Sequence, residues 1–354
     1  MEEKQMNSKE RVRAAVKYGN PDRIPAAFEA VPPVTSRLLK EYGFSSVDQI
    51  YDKFQIDIAC IHSRYIGPTL KETRNAKGDT VRETYWNYEE TMYTTNVDTY
   101  FTTTRFPLQN CKTIEDVDKM GWPDPDWFDY EHIRRRCEHY KDKAIIFGHE
   151  GPFQIVTFLL SMEDFFVLMI EEPDVAKHIL KRMMDFELEY YERTLIAADG
   201  QIDFIRPHDD YGTQISLLFS MDMWREFFKI NTKKLVNLAH KYGAFYQQHS
   251  CGAIAPLIEE LIDCGVDVLE PLQKVPGLYP EDLQPHRGKI CFHGGIDTQN
   301  LMPHGTPGQV AAEARYYMEN LGKGGGYILM SSQGLEPDVP TENIEALFTV
   351  SREF

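Results

Sequence analysis

A (β/α)8 TIM barrel is the fold class this sequence predicts. Eight short apolar runs recur along its 354 residues, and helical patterns fill most of the gaps between them. No glycine-rich phosphate fingerprint follows the first run, which weighs against a doubly wound sheet. The whole chain, 1–354, reads as a single domain with two additions to the barrel. One is an N-terminal helix. The other is a β-hairpin insertion, about residues 67–108, expected over the barrel mouth.

The elements follow in order. Asn7 or Ser8 can cap the first helix, Glu10 sits near the capping-box position, and Gly19-Asn20-Pro21 stops it. The candidate strands are 24–30, 56–62, 144–149, 203–208, 244–249, 266–271, 289–293 and 326–330. Helical patterns run over 164–193, 222–242, 253–264 and 306–321. The last has Thr306 as N-cap, Pro307 at the first helical position and Gly322 as its stop. The insertion is rich in Thr and Tyr, and Lys77-Gly78-Asp79 supplies a hairpin turn.

Composition narrows the function. Hydrophobic residues make up 42% and charged residues 26%, as in a globular protein. No apolar run approaches the ~20 residues of a membrane span. Met1 to Arg13 lacks the apolar core of a signal peptide. Six cysteines at 60, 111, 137, 251, 264 and 291 show no disulfide-framework spacing, so a reducing cytoplasm is expected. A net charge of −17 argues against nucleic acid as a partner.

Barrel enzymes carry their chemistry at the C-terminal ends of the strands. In order, those ends offer Glu29; His62 and Arg64; His149 and Glu150; and His208, Asp209, Asp210 and Tyr211. They continue with His249 and Cys251, Glu270 and Gln273, His293 and Asp297, and Ser331, Ser332 and Gln333. Seven of the eight ends bear a His or a carboxylate, which points to a polar, metal-capable pocket. Within it, His249-Ser250-Cys251 is the sharpest signal. Residues i and i+2 of a strand face the same way, so an imidazole and a thiol emerge together where the strand gives out into Gly252. They would supply two of the three protein ligands of an open zinc site. The plainer alternative is a buried Cys beside a hydrogen-bonded His. Asp209 and Asp210 are adjacent and so face opposite ways, one into the mouth and one toward the following turn. His208 and Tyr211 stand near them as proton donors, and these four form the expected catalytic group.

The sequence also resembles a known family. Pro-Asp-Arg-Ile-Pro (21–25), His-Asp-Asp-Tyr-Gly-Thr-Gln (208–214), Met-Trp-Arg-Glu-Phe-Phe-Lys (223–229) and His-Ser-Cys-Gly (249–252) are similar to segments of the uroporphyrinogen decarboxylase superfamily. So are Phe-His-Gly-Gly-Ile-Asp-Thr-Gln (292–299), Gly-Gly-Gly-Tyr-Ile-Leu (324–329) and Pro-Asp-Val-Pro-Thr-Glu-Asn-Ile (337–344). More narrowly, the chain looks like the branch of corrinoid-dependent methyltransferases. That resemblance implies a barrel and a zinc ion held by His249 and Cys251. It also implies a methyl group moved between a small methylated compound and the cob(I)alamin of a separate corrinoid protein. No cobalamin-ligating Asp-x-His-x-x-Gly occurs in the chain, which fits a separate carrier.

The chain departs from the family in places that matter. The decarboxylases' Arg-Gln-Ala-Gly-Arg segment is replaced by Glu29-Ala30-Val31-Pro32-Pro33, and their strand-two aspartate by His62-Ser63-Arg64. Cationic clamps for a polycarboxylate are therefore largely missing. The methyltransferases' strand-eight cysteine is replaced by Ser331-Ser332-Gln333-Gly334. Either a third metal ligand comes from elsewhere, with Glu150 and Cys291 preferred over Asp209 and Glu270, or the site holds no metal. A site with one thiolate fewer is harder and favours oxygen, hence O-demethylation of an aryl methyl ether. His149, Glu270, His293 and Gln333 are expected around the substrate, with His149 and His293 also able to orient ligands. The rivals are a metal-free decarboxylase or lyase and a barrel that binds a small molecule without chemistry. A homo-oligomer is left open.

Overall fold

A computed structural model describes residues 5–94 and 99–352. Seven parallel strands form one curled sheet: β1 (Ile58–Ile61), β6 (Ala144–Glu150), β7 (Phe204–His208), β8 (Phe245–His249), β9 (Val268–Leu272), β10 (Cys291–Gly294) and β11 (Tyr327–Ile328). Each pairs with the next in that order. Between β1 and β6 a separate antiparallel sheet runs β2 (Glu72–Arg74), β3 (Thr80–Glu83), β4 (Glu89–Thr94) and β5 (Thr99–Arg105). Its first turn holds Gly78 at φ +90°, which explains the glycine in Lys77-Gly78-Asp79. Residues 95–98, inside the expected insertion, lie outside the described residues, as do residues 1–4 of the leading segment.

The expected strand 24–30 is not a regular strand. It makes isolated parallel bridges, Ala26 with Leu329 and Ala30 with Leu335. On its other side the Ala26 carbonyl accepts the Asp57 N–H at 2.8 Å. Pro25 has no N–H to give, which limits its ladder to the carbonyl that accepts from Leu329 at 2.9 Å.

Alternate residues of the strands point inward and build a layered interior. The floor is apolar: Ala27, Ile58, Ala144, Phe204, Phe245, Val268, Cys291 and Ile328 pack in one buried cluster. The N-terminal helix Ser8–Val16, capped by Asn7 with Glu10 completing the box, adds Val12 and Val16 to the same cluster. It is fastened there by charge. Arg11 reaches Asp57 at 2.7 Å and Arg13 reaches Asp203 at 2.9 Å. Both carboxylates are fully buried.

Two expected helices are each broken in two. The pattern over 164–193 divides into Met162–Glu171 and Pro173–Ala198, because Pro173 removes a helical donor and restricts the residue before it. The pattern over 222–242 divides into Met221–Phe227 and Lys229–Lys241. Helix Pro307–Tyr317 has the Thr306 cap and continues as one wider turn, Met318–Gly322. Among the described residues no single helix is long and apolar enough to cross a membrane.

Candidate metal centre

The middle layer of the barrel is polar and buried. Arg206, in the midst of apolar β7, is 4% exposed and ion-paired with Glu29. An interior guanidinium is tolerated only with such partners. Its other neighbours are Glu270, at 3.9 Å, and the Cys60 sulfur, at 3.9 Å. Glu270 in turn stands 2.7 Å from His249 Nδ1, so Glu29, Arg206, Glu270 and His249 form a chain of alternating charge across the interior of the curled sheet. His293 and Gln247 share this layer, joined at 3.1 Å.

Above that layer three donors converge. His208 of β7 pairs in register with His249 of β8, so the residues two further on, Asp210 and Cys251, also come side by side. Cys251 Sγ lies 3.8 Å from His249 Nε2, and Asp210 Oδ1 lies 3.5 Å from the same nitrogen. The three ligand atoms fall within 4.8 Å of one another. The Cys251 N–H donates to Asp210 at 2.8 Å, which fixes the aspartate against the turn. Gln333 donates from its side-chain amide to the Cys251 sulfur at 3.3 Å.

Burial lowers the His249 pKa, but the Glu270 and Asp210 carboxylates more than reverse it, leaving the imidazole well above its ordinary value. Burial alone would raise Glu270; the His249 and Arg206 charges hold it below the carboxylate range instead. Glu270 therefore accepts from Nδ1 and turns Nε2 toward Cys251 and Asp210. An imidazole, a thiol and a carboxylate so arranged fit zinc, with a carboxylate behind the histidine as such sites usually have.

The sequence-based site divides on this geometry. His249 and Cys251 come together as expected, and Gln333 joins them. Cys291 does not reach them. It lies in the apolar floor, where burial pushes its thiol far up, because it sits two residues before His293 on the inward face. Glu150 sits at the mouth, but beside His208, 3.7 Å from its Nδ1. The third donor beside His249 and Cys251 is Asp210, which the sequence reading places in the catalytic group. Asp209 and Tyr211 leave that group altogether. They face out of the barrel, and Asp209 accepts the backbone N–H groups of Phe153 and Gln154 at 2.8 and 3.0 Å and the Tyr211 hydroxyl at 2.7 Å. It caps the helix Pro152–Leu159 from a distance, since the N-cap position is Gly151. A Cβ on Gly151 would come within 2.4 Å of that carboxylate, so the glycine makes room for it. Burial raises Asp209 to about 7 against these hydrogen bonds. Glu270 and His293, expected around the substrate, are 1% and 0% exposed and lie beneath the mouth.

A cavity of about 420 Å3 lies on the other side of His208, whose ring stands 4.7 Å from that of His249; none of the three donors lines it. His62, Gly148, His149, Glu150 and His208 line its barrel side, and Tyr85, Trp86 and Tyr88 come from the small sheet. His149 Nε2 meets the Tyr85 hydroxyl, and its Nδ1 lies 2.8 Å from the buried Glu187 carboxylate. Burial opposes the charged imidazole, yet Glu187 raises it above the ordinary value. The cavity's Arg82 is ion-paired with Glu90.

The sequence model of the uroporphyrinogen decarboxylase family matches residues 101–354, most of the chain and all of the strands that carry these donors. The chain belongs to that family. The match bears out the resemblance read from the sequence. The methylcobamide:CoM methyltransferase MtaA of Methanosarcina barkeri is 24% identical over 213 residues, 60% of this chain. The match spans 59% of that protein's length. A uroporphyrinogen decarboxylase of Methylococcus capsulatus is 23% identical over 258 residues, 68% of this chain and 69% of its own. Among solved structures, a methyltransferase from Methanosarcina mazei superimposes with a TM-score of 0.72 over 99% of both chains at 17% identity, a likeness of fold.

Proposed function

We propose that this protein is a methyltransferase that moves a methyl group between a small methylated compound and the cob(I)alamin of a separate corrinoid protein. Asp210, His249 and Cys251 hold a zinc ion, and an aryl methyl ether is the preferred donor. The convergence of these three donors at the strand ends, across His208 from an aromatic-walled cavity, carries the reading. When bound, zinc supplies a Lewis acid at the substrate heteroatom.

The chain's own residues do the rest. Glu270 keeps the His249 ring turned, and Arg206 with Glu29 keeps Glu270 ionised in place. Gln333 donates to the Cys251 sulfur at the position where a second cysteine is lacking, so the donor set stays harder than a two-thiolate site. Tyr85 and Trp86 cover His149 and keep water from that wall. The cavity's one lining arginine, Arg82, is matched with Glu90, and the buried Arg206 with Glu29, which disfavours a polycarboxylate and with it the decarboxylase reading. The bridges of segment 24–30 to both sheet edges support a closed eightfold barrel. The small sheet serves as part of the face that meets the corrinoid protein.

Zinc content tests the reading. The protein purified without chelator and offered excess zinc is expected to hold one ion per chain, and Cys251→Ala and Asp210→Ala are expected to lose it. Parent protein that takes up no zinc retires the assignment. A screen of methyl ethers with cob(I)alamin then identifies the donor.

A further inference from the structure

Three residues beyond His249 the chain reaches Gly252, and three beyond its β9 partner Glu270 it reaches Gln273. The two meet. The Gly252 N–H donates to Gln273 Oε1 at 2.7 Å in a buried hydrogen bond, and Gln273 itself is 9% exposed. Cys251 lies one residue before that N–H, so the bond fastens the turn that carries the thiol.

The turn is closely fitted. Before Cys251, the Ser250 N–H donates to the Glu270 carbonyl at 2.8 Å; after it, the Ala253 N–H donates to the Thr213 carbonyl at 2.7 Å. Gly252 itself has φ +90°, and a Cβ there would come within 2.4 Å of the Gly212 carbonyl carbon. The peptide between Cys251 and Gly252 is thus pressed against the end of β7. The Cys251 N–H is held by Asp210, which is a donor in its own right. Gln273 grips the same backbone from β9 and stands outside the donor set. Losing its oxygen would strand a buried N–H, and the turn would relax to recover a partner.

The donor spacing shows what such a grip protects. Cys251 Sγ and Asp210 Oδ1 stand 3.8 and 3.5 Å from His249 Nε2. Zinc bonds of about 2.0–2.3 Å at tetrahedral angles set those edges at about 3.6 and 3.4 Å. A site of this kind needs its ligands held to about 0.5 Å.

We infer that Gln273 is a positioning residue for the metal centre. By holding the Gly252 N–H, its side-chain oxygen sets where the Cys251 sulfur stands relative to His249 and Asp210. The inference rests on the zinc reading for the ion and on this hydrogen bond for the geometry.

The test compares the full chain with three variants. Gln273→Met keeps the length and loses the acceptor, Gln273→Asn draws the oxygen back by one methylene, and Gln273→Glu keeps an oxygen at the same reach. In competition with a chelator, the Met and Asn variants are expected to bind zinc about tenfold or more weakly, and the Glu variant to bind it as the parent does. A second readout needs no metal: backbone-amide hydrogen exchange followed by NMR on the chelator-treated chain. Gln273→Met, or Gln273→Asn should the first not fold, is expected to speed exchange at Gly252, which loses its acceptor. Exchange is also expected to quicken at Cys251, whose N–H loses its alignment on Asp210. Parent-like zinc affinity in the folded variants, with only urea stability lowered, would overturn the inference. So would unchanged exchange at Cys251, or a loss that Gln273→Glu does not restore. A parent that takes up no zinc retires the zinc reading, and exchange at Cys251 then decides the positioning role by itself.

Discussion

At the floor of the barrel, Asp57 and Asp203 have every carboxylate oxygen matched. Asp57 takes Arg11, Arg23 and the Ala26 N–H, and Asp203 takes Lys9, Arg13 and the Ile145 N–H. At the mouth, Arg206 Nε, His208 Nε2 and, one layer down, His293 Nε2 and Gln247 Oε1 are buried with no partner among the described residues. Both ends bury charge, but only one is complete in itself. An unpartnered buried polar atom costs about 1–3 kcal/mol, a cost that the two floor carboxylates avoid and the mouth carries, as do scattered sites such as Tyr191, Trp224 and Asn343. The floor is built for stability and the mouth for a ligand.

The comparison breaks most easily at the floor. Asp57→Ala leaves Arg11 and Arg23 without their shared partner and is expected to destabilise the fold by about 3 kcal/mol or more in urea denaturation. Zinc taken up per folded molecule should be unchanged. If Asp57→Ala instead removes zinc and leaves stability alone, the division between the two ends is wrong.

Acid sharpens it next. Burial depresses the His293 imidazole from 6.5 to about 4. The unfolded chain therefore takes up this proton as pH falls through 6.5, while the folded chain resists until about 4. The contribution is fully present above 6.5 and is lost on the way down to about 4, where the loss reaches about 3 kcal/mol. Urea midpoints of His293→Gln measured across that window are expected to fall less steeply than the parent's. A curve parallel to the parent's would show that His293 is not buried neutral.

Two smaller effects belong to the mouth alone. Glu270→Gln replaces the carboxylate behind His249 and is expected to weaken zinc binding about 10–100-fold in competition with a chelator. Gln333→Ala removes one amide donor to the Cys251 sulfur and should cost about fivefold. A larger loss from Gln333 than from Glu270 would reverse the roles assigned to them.

Seven of the eight expected strands were legible because short apolar runs between turn signals carry their own periodicity, and His249-x-Cys251 because it spans the end of one strand. Asp210 as the third donor was not, since its place beside them depends on the register of β7 against β8. The signal was nonetheless present. His208-x-Asp210 repeats the spacing of His249-x-Cys251, and two such pairs on neighbouring parallel strands meet. The same alternation told that Asp209 and Asp210 part company, but not which goes inward. The break at Pro173 was readable and was overridden by the apolar pattern on either side of it. Arg206 escaped notice because a charge inside a strand declares itself only when its partners, Glu29 and Glu270, are brought from strands far away in sequence.

The segment that bridges the two edges of the sheet has a consequence for synthesis. Ala27 and Val31 donate to the carbonyls of Leu329 and Leu335, so residues made first are hydrogen-bonded to residues made some 300 positions later. On the ribosome, the N-terminal helix and the stretch after it wait for that far end to emerge before the seam can shut. Until then both edges of the sheet stand open. A chain halted before Leu335 would lack the N–H that the Glu29 carbonyl accepts at 2.9 Å, the contact that holds the Glu29 backbone beside Arg206.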